Sequence, residues 1–339
     1  MRIRMRRLLV ILALSALILG GIWLGGETLL ARQLEQVAAE QPSVELGGTR
    51  ELREAGRIGV RVSDLRLRTA SGTVDLPWAD LWLNPLRLTE MRLTLPPQVA
   101  LDPGAGPLEL GLADASARLS VKPLQGFGVG SVGLTSGPVS VDGAELAKSL
   151  QADARLTKVG QDAPQGTAAT YDLDLRLAEL EPGFAALQSL PGRLSLNAAG
   201  KIWLDALPAP ASLAAGPEPL PLGLRLDSAD IQLGKLRMRV MGRIVADDQG
   251  YAAGQIALYT ADAEPLLQVA ADAGLISPKA VVLAGTILKN IATLPLPDED
   301  GFQFPPANQG ELRLPLTLSG GKMSLGPVPL GPAPVFPRR

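Results

Sequence analysis

Ser319-Gly-Gly-Lys322 has the Ser-x-x-Lys spacing that serves acyl transfer when a helix turns both side chains into one pocket. Here two central glycines stand between runs of alternating leucine, which predicts a β-hairpin instead. Gly128, Gly130 and Gly133 form a G-x-G-x-x-G. That pattern holds a dinucleotide only where it follows a strand and opens a helix. The residues that follow, LTSGPVSVDG, alternate and carry proline, so a glycine-rich strand and turn are predicted. Asp172 and Asp174 share one strand face, and Asp298, Glu299 and Asp300 crowd one loop. A calcium site needs about six to eight oxygens at set spacing. Neither group has that spacing, and a solvated strand face and a soluble loop are expected.

The chain of 339 residues contains no histidine and no cysteine. This removes the commonest general base, every Ser-His-Asp or Cys-His arrangement, and the usual ligands of zinc, copper, haem and iron–sulfur clusters. The residues assemble no catalytic group, no cofactor site and no metal site, so a non-enzymatic protein is expected. Trp78, Trp82 and Trp203 are conspicuous in a chain only 4% aromatic. Core packing is expected of them, with a membrane interface or an apolar site as the other reading of Trp78 and Trp82.

The N-terminus points to a compartment. Arg2, Arg4, Arg6 and Arg7 precede an uncharged run from Leu8 to Leu24, which Gly25 and Gly26 extend. Residues 8–26 are long enough to span a bilayer, and the GGETLLARQ that follows makes a poor signal-peptide cleavage site. An uncleaved signal anchor is predicted, with residues 1–7 as a cytoplasmic basic tip and the bulk of the chain on the other side. Setting the four anchor arginines aside leaves 28 of the 32 basic side chains against 34 acidic ones. That excess argues against nucleic acid as a partner, and against an electrostatic docking surface for anionic lipid headgroups.

Residues 27–42 read as a juxtamembrane helix, with Leu30, Leu34 and Ala38 on one face and Pro42 closing it. From Gly56 the apolar period changes to two. Ile58, Val60 and Val62, then Leu65 and Leu67, then many later pairs and triplets alternate with polar residues. Turn residues separate the runs, among them ASG, DPGAG, TSGP, DDQG and SGG. The expected fold is mostly β (α+β): a long, curved antiparallel sheet or meander with a few packed helices, preceded by one transmembrane helix. Residues 43–339 are expected to form one β-rich domain, with a loop at 207–223 and a helical block at 262–293. In that block Ser277 is the predicted N-cap, Pro278 the first helical residue, and Val281, Ala284, Leu288 and Ile291 the apolar stripe. Short helices are predicted near Gly143 and near Pro182.

The leucine ladder is the feature without a routine purpose. Leu173, Leu175 and Leu177, then Leu222, Leu224 and Leu226, then Leu312, Leu314, Leu316 and Leu318 place aliphatic side chains at every second position. One reading is a half-buried sheet covered by the helix around Val281 to Ile291. The other leaves part of the face open to hold acyl chains, which such a surface does without fixed polar anchors. In the last of these runs Pro315 places the strand at or near a sheet edge. Gly320-Gly321 turn the chain back through Met323 and Leu325, and the prolines after Gly326 are expected to end strand pairing.

A basic N-terminus with one anchor, a juxtamembrane helix and many L-x-L-x-L strands together resemble the AsmA-like proteins of Gram-negative envelopes. GRIGVRVSDLRLRTASG and the ending LRLPLTLSGGKMSLGPVPLGPAP resemble, more closely, the uncharacterised bacterial group named domain of unknown function 2125. The first resemblance implies an inner-membrane, periplasm-facing protein whose curved sheet moves phospholipid. Some fifteen strands at about 4.8 Å extend roughly 70 Å, so local binding or hand-over is expected rather than unaided bridging of a periplasm. The expected partners are the membrane, phospholipid and another envelope protein. The alternative function is an interaction module that recruits such a protein by strand addition.

Overall fold

A computed structural model describes residues 44–338 apart from positions 55–56, 70–71, 85, 103–105, 183–190, 210–217, 273, 275 and 297–301. The predicted anchor, the juxtamembrane helix, the helix predicted after Pro182 and the loop of Asp298, Glu299 and Asp300 lie outside these residues. Among the described residues no helix is long and apolar enough to cross a membrane. The fold is mostly β and antiparallel, with few helices. By its contacts the chain falls into two compact units. The first runs to Arg155 and takes in Leu207–Glu218; the second comprises Leu156–Ala206 and Pro219–Arg339.

The first unit is organised by one long hairpin, β3 (Arg57–Thr69) and β4 (Gly72–Asn84). Its alternation changes phase. Val60 and Val62 are buried at even positions, whereas Leu65 and Leu67 turn inward at odd ones while Arg66 and Arg68 are exposed. The slip falls at Asp64, held at φ 49°, opposite Pro77, which has no N–H for the ladder. Strand partners change at the same point. β2 (Gly48–Glu54) pairs with β3 before Asp64 and β1 (Val44–Glu45) after it. On the other side, β5 (Arg87–Thr94) pairs with one end of β4 and β6 (Gln98–Asp102) with the other.

Two branches follow from that fork. β5 continues through β8 (Ser116–Lys122) and β9 (Gly128–Ser136) to β12 (Ser149–Thr157), and β6 through β7 (Leu108–Leu112) and β10 (Val139–Val141) to β11 (Ala144–Ala147). The helix predicted near Gly143 is therefore replaced by β11 and β12. Asp142 (φ 49°) and Gly143 (φ 80°) form a two-residue turn of the hairpin type, and pairing with β10 and β9 outweighs the mild helical preference of the alanines beyond it.

The second unit is a meander whose strands pair in sequence order: β13 (Ala169–Leu180), β14 (Leu194–Leu204), β15 (Pro221–Leu233), β16 (Leu236–Ala246), β17 (Ala252–Thr260), β18 (Leu312–Ser319), β19 (Lys322–Leu325) and β20 (Val328–Pro332). Between β17 and β18 lie α1 (Ala263–Asp272) and α2 (Pro278–Ala292). The predicted start of α2 is observed: the Val281 N–H donates to the Ser277 carbonyl and Pro278 opens the helix. The predicted Gly320-Gly321 turn is also present, both residues at positive φ. The prolines after Gly326 do not end pairing as expected, since β20 forms among them. An edge strand needs only its inward N–H groups, so Pro329 and Pro332 are tolerated there. β18 is consequently an interior strand, with Pro315 buried and its carbonyl accepting from the Gly326 N–H at 3.0 Å.

Candidate functional site

Among the described residues none of the motif-like ones forms a reactive group. Gly128, Gly130 and Gly133 lie within β9, and a side chain at Gly133 would collide with Arg118 and Asp153. Ser319 and Lys322 are cross-strand partners flanking the Gly320-Gly321 turn. Asp172 and Asp174 lie on β13 opposite Lys201 and Ala199. Among the described residues no group of three or more acidic side chains is placed to hold a metal ion.

The leucines behave differently. Antiparallel register in the second unit aligns them into rows that cross the sheet. One row runs Leu173–Gly200–Leu226–Gly242–Ile256–Leu316–Leu325. The next runs Leu175–Ala198–Ala229–Val240–Leu258–Leu314. A third runs Tyr171–Ile202–Leu224–Ile244–Gly254–Leu318–Met323, and Leu177–Leu196–Ile231–Met238 forms a shorter fourth. Since a strand presents alternate residues to each face, runs scattered over 150 residues of sequence become one continuous aliphatic surface.

The helices cover part of it. Leu267, Leu288 and Ile291 pack with Leu314, Leu325, Val328 and Leu330, with Leu312 and Leu316 alongside. Ala333 and Phe336 of the C-terminal tail close over Leu318 and Ile256. Leu314 and Leu318 are only 2% and 3% exposed, so these two candidate lipid contacts belong to the protein's own core. Leu173, Leu175, Leu177, Leu222, Leu224 and Leu226 are half-buried, and none joins the clusters built by the helices. The helices and the C-terminal tail thus cover this face over β18–β20, where Leu312 and Leu316 keep partial exposure, and among the described residues no helix packs on it over β13–β15.

The opposite face is polar and crowded with arginines, which the alternation foretells but whose partners it does not. Lys201, Arg225, Arg243 and Gln255 form a cross-strand row. Arg225 donates to Asp162 at 2.8 Å and to Asp227 at 2.7 Å. Burial acts to lower its pKa, but the two carboxylates outweigh it and hold the guanidinium above its ordinary value. Arg243 stacks over Trp203 at 5.4 Å and Arg239 over Tyr259 at 4.6 Å. Leu296, Phe302 and Phe304 pack against Ala257 and Tyr259. Trp203 meets the expectation of core packing, with no exposed surface. Trp78 and Trp82 do not: they stand half-buried on the polar face of β4, stacked by Arg61 at 4.9 Å and by Arg57 and Arg92 at 4.7 and 5.3 Å. Their even positions oppose Ala79, Leu81 and Leu83, which take the core side.

Burial raises the phenol pKa of Tyr171, and also that of Tyr259, where Arg313 and Arg239 offset part of the rise. In the unfolded chain both ionise near pH 10. The stability they contribute is therefore complete below about pH 10 and lost as the pH rises through the folded values. In an ultraviolet titration, most of the tyrosinate signal from the three tyrosines should emerge only as the β-sheet circular dichroism is lost. Full ionisation with the sheet intact would contradict this burial.

The first unit has a cleft of about 870 Å³ lined by Glu45, Arg66, Asp75, Gln98, Glu109 and Asp142, among others. Its lining is predominantly acidic, and two of its carboxylates are paired: Asp75 with Arg66 and Glu45 with Arg68, each at 2.5 Å. These residues come from five separate strands and the Asp142-Gly143 turn, and nothing in their sequence spacing announces the cleft.

Fold and site together define a mostly β, antiparallel protein with a partly open aliphatic sheet face. The chain belongs to the family described as "Uncharacterized protein conserved in bacteria (DUF2125)", which it matches over residues 30–334. No curated protein and no solved structure matches it.

Proposed function

We propose that the half-buried leucines of β13 and β15 hold acyl chains, and that the protein binds phospholipid or passes it on at a bacterial envelope while anchored in the inner membrane. The observation that carries this reading is the register. The row Leu314–Leu258–Val240–Ala229–Ala198–Leu175 runs unbroken from the helix-covered core to β13, and the rows that hold Leu173 and Leu224 lie to one side of it, interrupted only by glycines. Excluding water from acyl chains requires only such a surface, since the hydrophobic term is non-directional and scales with area. The AsmA-like resemblance agrees with it.

Site-specific photo-crosslinking in cells tests the reading. A photoreactive residue at position 175 or 224 is expected to yield a phospholipid adduct by mass spectrometry, and one at Asp230, exposed on the other face of β15, is not. Equal labelling at all three positions, or protein adducts in place of lipid at 175 and 224, would overturn it; the latter would favour a docking module.

A further inference from the structure

We infer that one end of the first unit is a membrane-contacting tip, formed by the β4–β5 and β8–β9 hairpins and made to enter a lipid surface. β5 and β8 are antiparallel neighbours, and β5 begins at Arg87 where β8 ends at Lys122. The two turns therefore lie side by side at the same end of the sheet. Leu86 belongs to one, with Leu88 just beyond it at the start of β5, and Leu124 and Phe127 to the other. Leu86 is 91% exposed, Leu124 is fully exposed, and Leu88 and Phe127 are exposed by nearly half. Single exposed leucines need no explanation, but four large apolar side chains on adjacent tips do. The turns Asp142-Gly143 and Gly320-Gly321 use small or polar residues instead. Phe127 follows Gly126 in the turn and is held at φ 57°, a conformation that costs a bulky residue strain.

The surroundings favour lipid over a protein partner. Leu86 and Leu124 are exposed almost completely, and a fluid acyl phase moulds itself around such side chains without needing a shaped pocket. Within the stretches Trp82–Arg92 and Leu119–Ser131 the only carboxylate is Glu90, against Arg87, Arg92 and Lys122. The local charge is thus positive although the chain as a whole is acidic, which suits anionic headgroups. Trp82 lies roughly 10 Å back from the tips by strand rise. It is stacked between Arg57 and Arg92 and donates its indole N–H to Thr94 Oγ1 at 3.2 Å. Aliphatic tips backed by a tryptophan and long cationic side chains reproduce the layering of a bilayer interface, apolar residues innermost and amphipathic ones at headgroup level.

The absence of native cysteine makes the test direct. Full-length Leu86→Cys, Leu124→Cys and, as an exposed control in the other unit, Val159→Cys are each labelled with an environment-sensitive fluorophore. Each is reconstituted into vesicles of phosphatidylethanolamine and phosphatidylglycerol. Nitroxide-bearing phospholipid is placed either in that bilayer or in vesicles added from outside. The expected result is a blue-shifted emission at positions 86 and 124, quenched by nitroxide lipid in at least one arrangement and protected from aqueous iodide. The label at 159 should show the reverse. Labels at 86 and 124 that behave like the one at 159 in both arrangements overturn the inference, as does protection without nitroxide quenching, which would indicate a protein contact. Either outcome is independent of whether positions 175 and 224 crosslink to lipid.

Discussion

Leu314→Ala is expected to lower the unfolding free energy by about 2–5 kcal/mol, and Leu175→Ala by only about 1 kcal/mol. The two residues occupy the same cross-sheet row and the same chemical type. They differ in what lies above them. Leu314 is 2% exposed beneath α1 and α2, so truncation removes transfer free energy and leaves a closed cavity lined by side chains that relax only partly. Leu175 is half-buried, so truncation loses part of a transfer term and opens no sealed void. Chemical denaturation followed by β-sheet circular dichroism measures both. Equal costs would mean that the sheet face is covered as fully over β13 as over β18, which would remove the structural basis for an acyl-chain site.

Trp203→Ala should be at least as damaging, at about 3–5 kcal/mol. The indole is completely buried on the polar face of β14. Gly223 makes room for it: a side chain there would come within 3.1 Å of the ring and 2.8 Å of the Ile244 carbonyl oxygen. Truncation would open the largest void available to this unit and remove the ring over which Arg243 stacks. Trp203→Phe is expected to cost far less, under about 2 kcal/mol, because a ring remains and the indole N–H finds no acceptor among the described residues. If phenylalanine costs as much as alanine, the indole nitrogen has a role in the buried polar layer that ring packing does not explain. Urea titration of both variants separates these outcomes.

Much of this architecture is written locally. Period-two alternation marks β3, β13, β15 and β18 because a strand sends successive side chains to opposite faces whatever its partners. Ser277 and Pro278 mark the start of α2 because the first N–H groups of a helix are free of intrahelical bonds. Gly320-Gly321 marks a hairpin because that turn demands positive φ. The alanines after Gly143 show where local reading fails. Their helical and strand preferences are close, so the Asp142-Gly143 turn and the edges of β10 and β9 chose between them. The division into two units and the strand at Val328–Pro332 were illegible for the same kind of reason, since each depends on which distant segment arrives alongside.

The site separates the two contributions most clearly. The sequence by itself determined that β13, β15 and β18 each have one aliphatic face, and that no histidine or cysteine chemistry exists in the chain. It could not determine that Leu175, Ala229 and Leu314 share a row, because register is set by pairing between strands and not within them. Nor could it distinguish Leu314 from Leu175. Only the docking of α1, α2 and the C-terminal tail makes one a core residue and leaves the other half-buried. Alternation states which side chains turn toward the same face; tertiary packing decides which of them the protein keeps for its own interior.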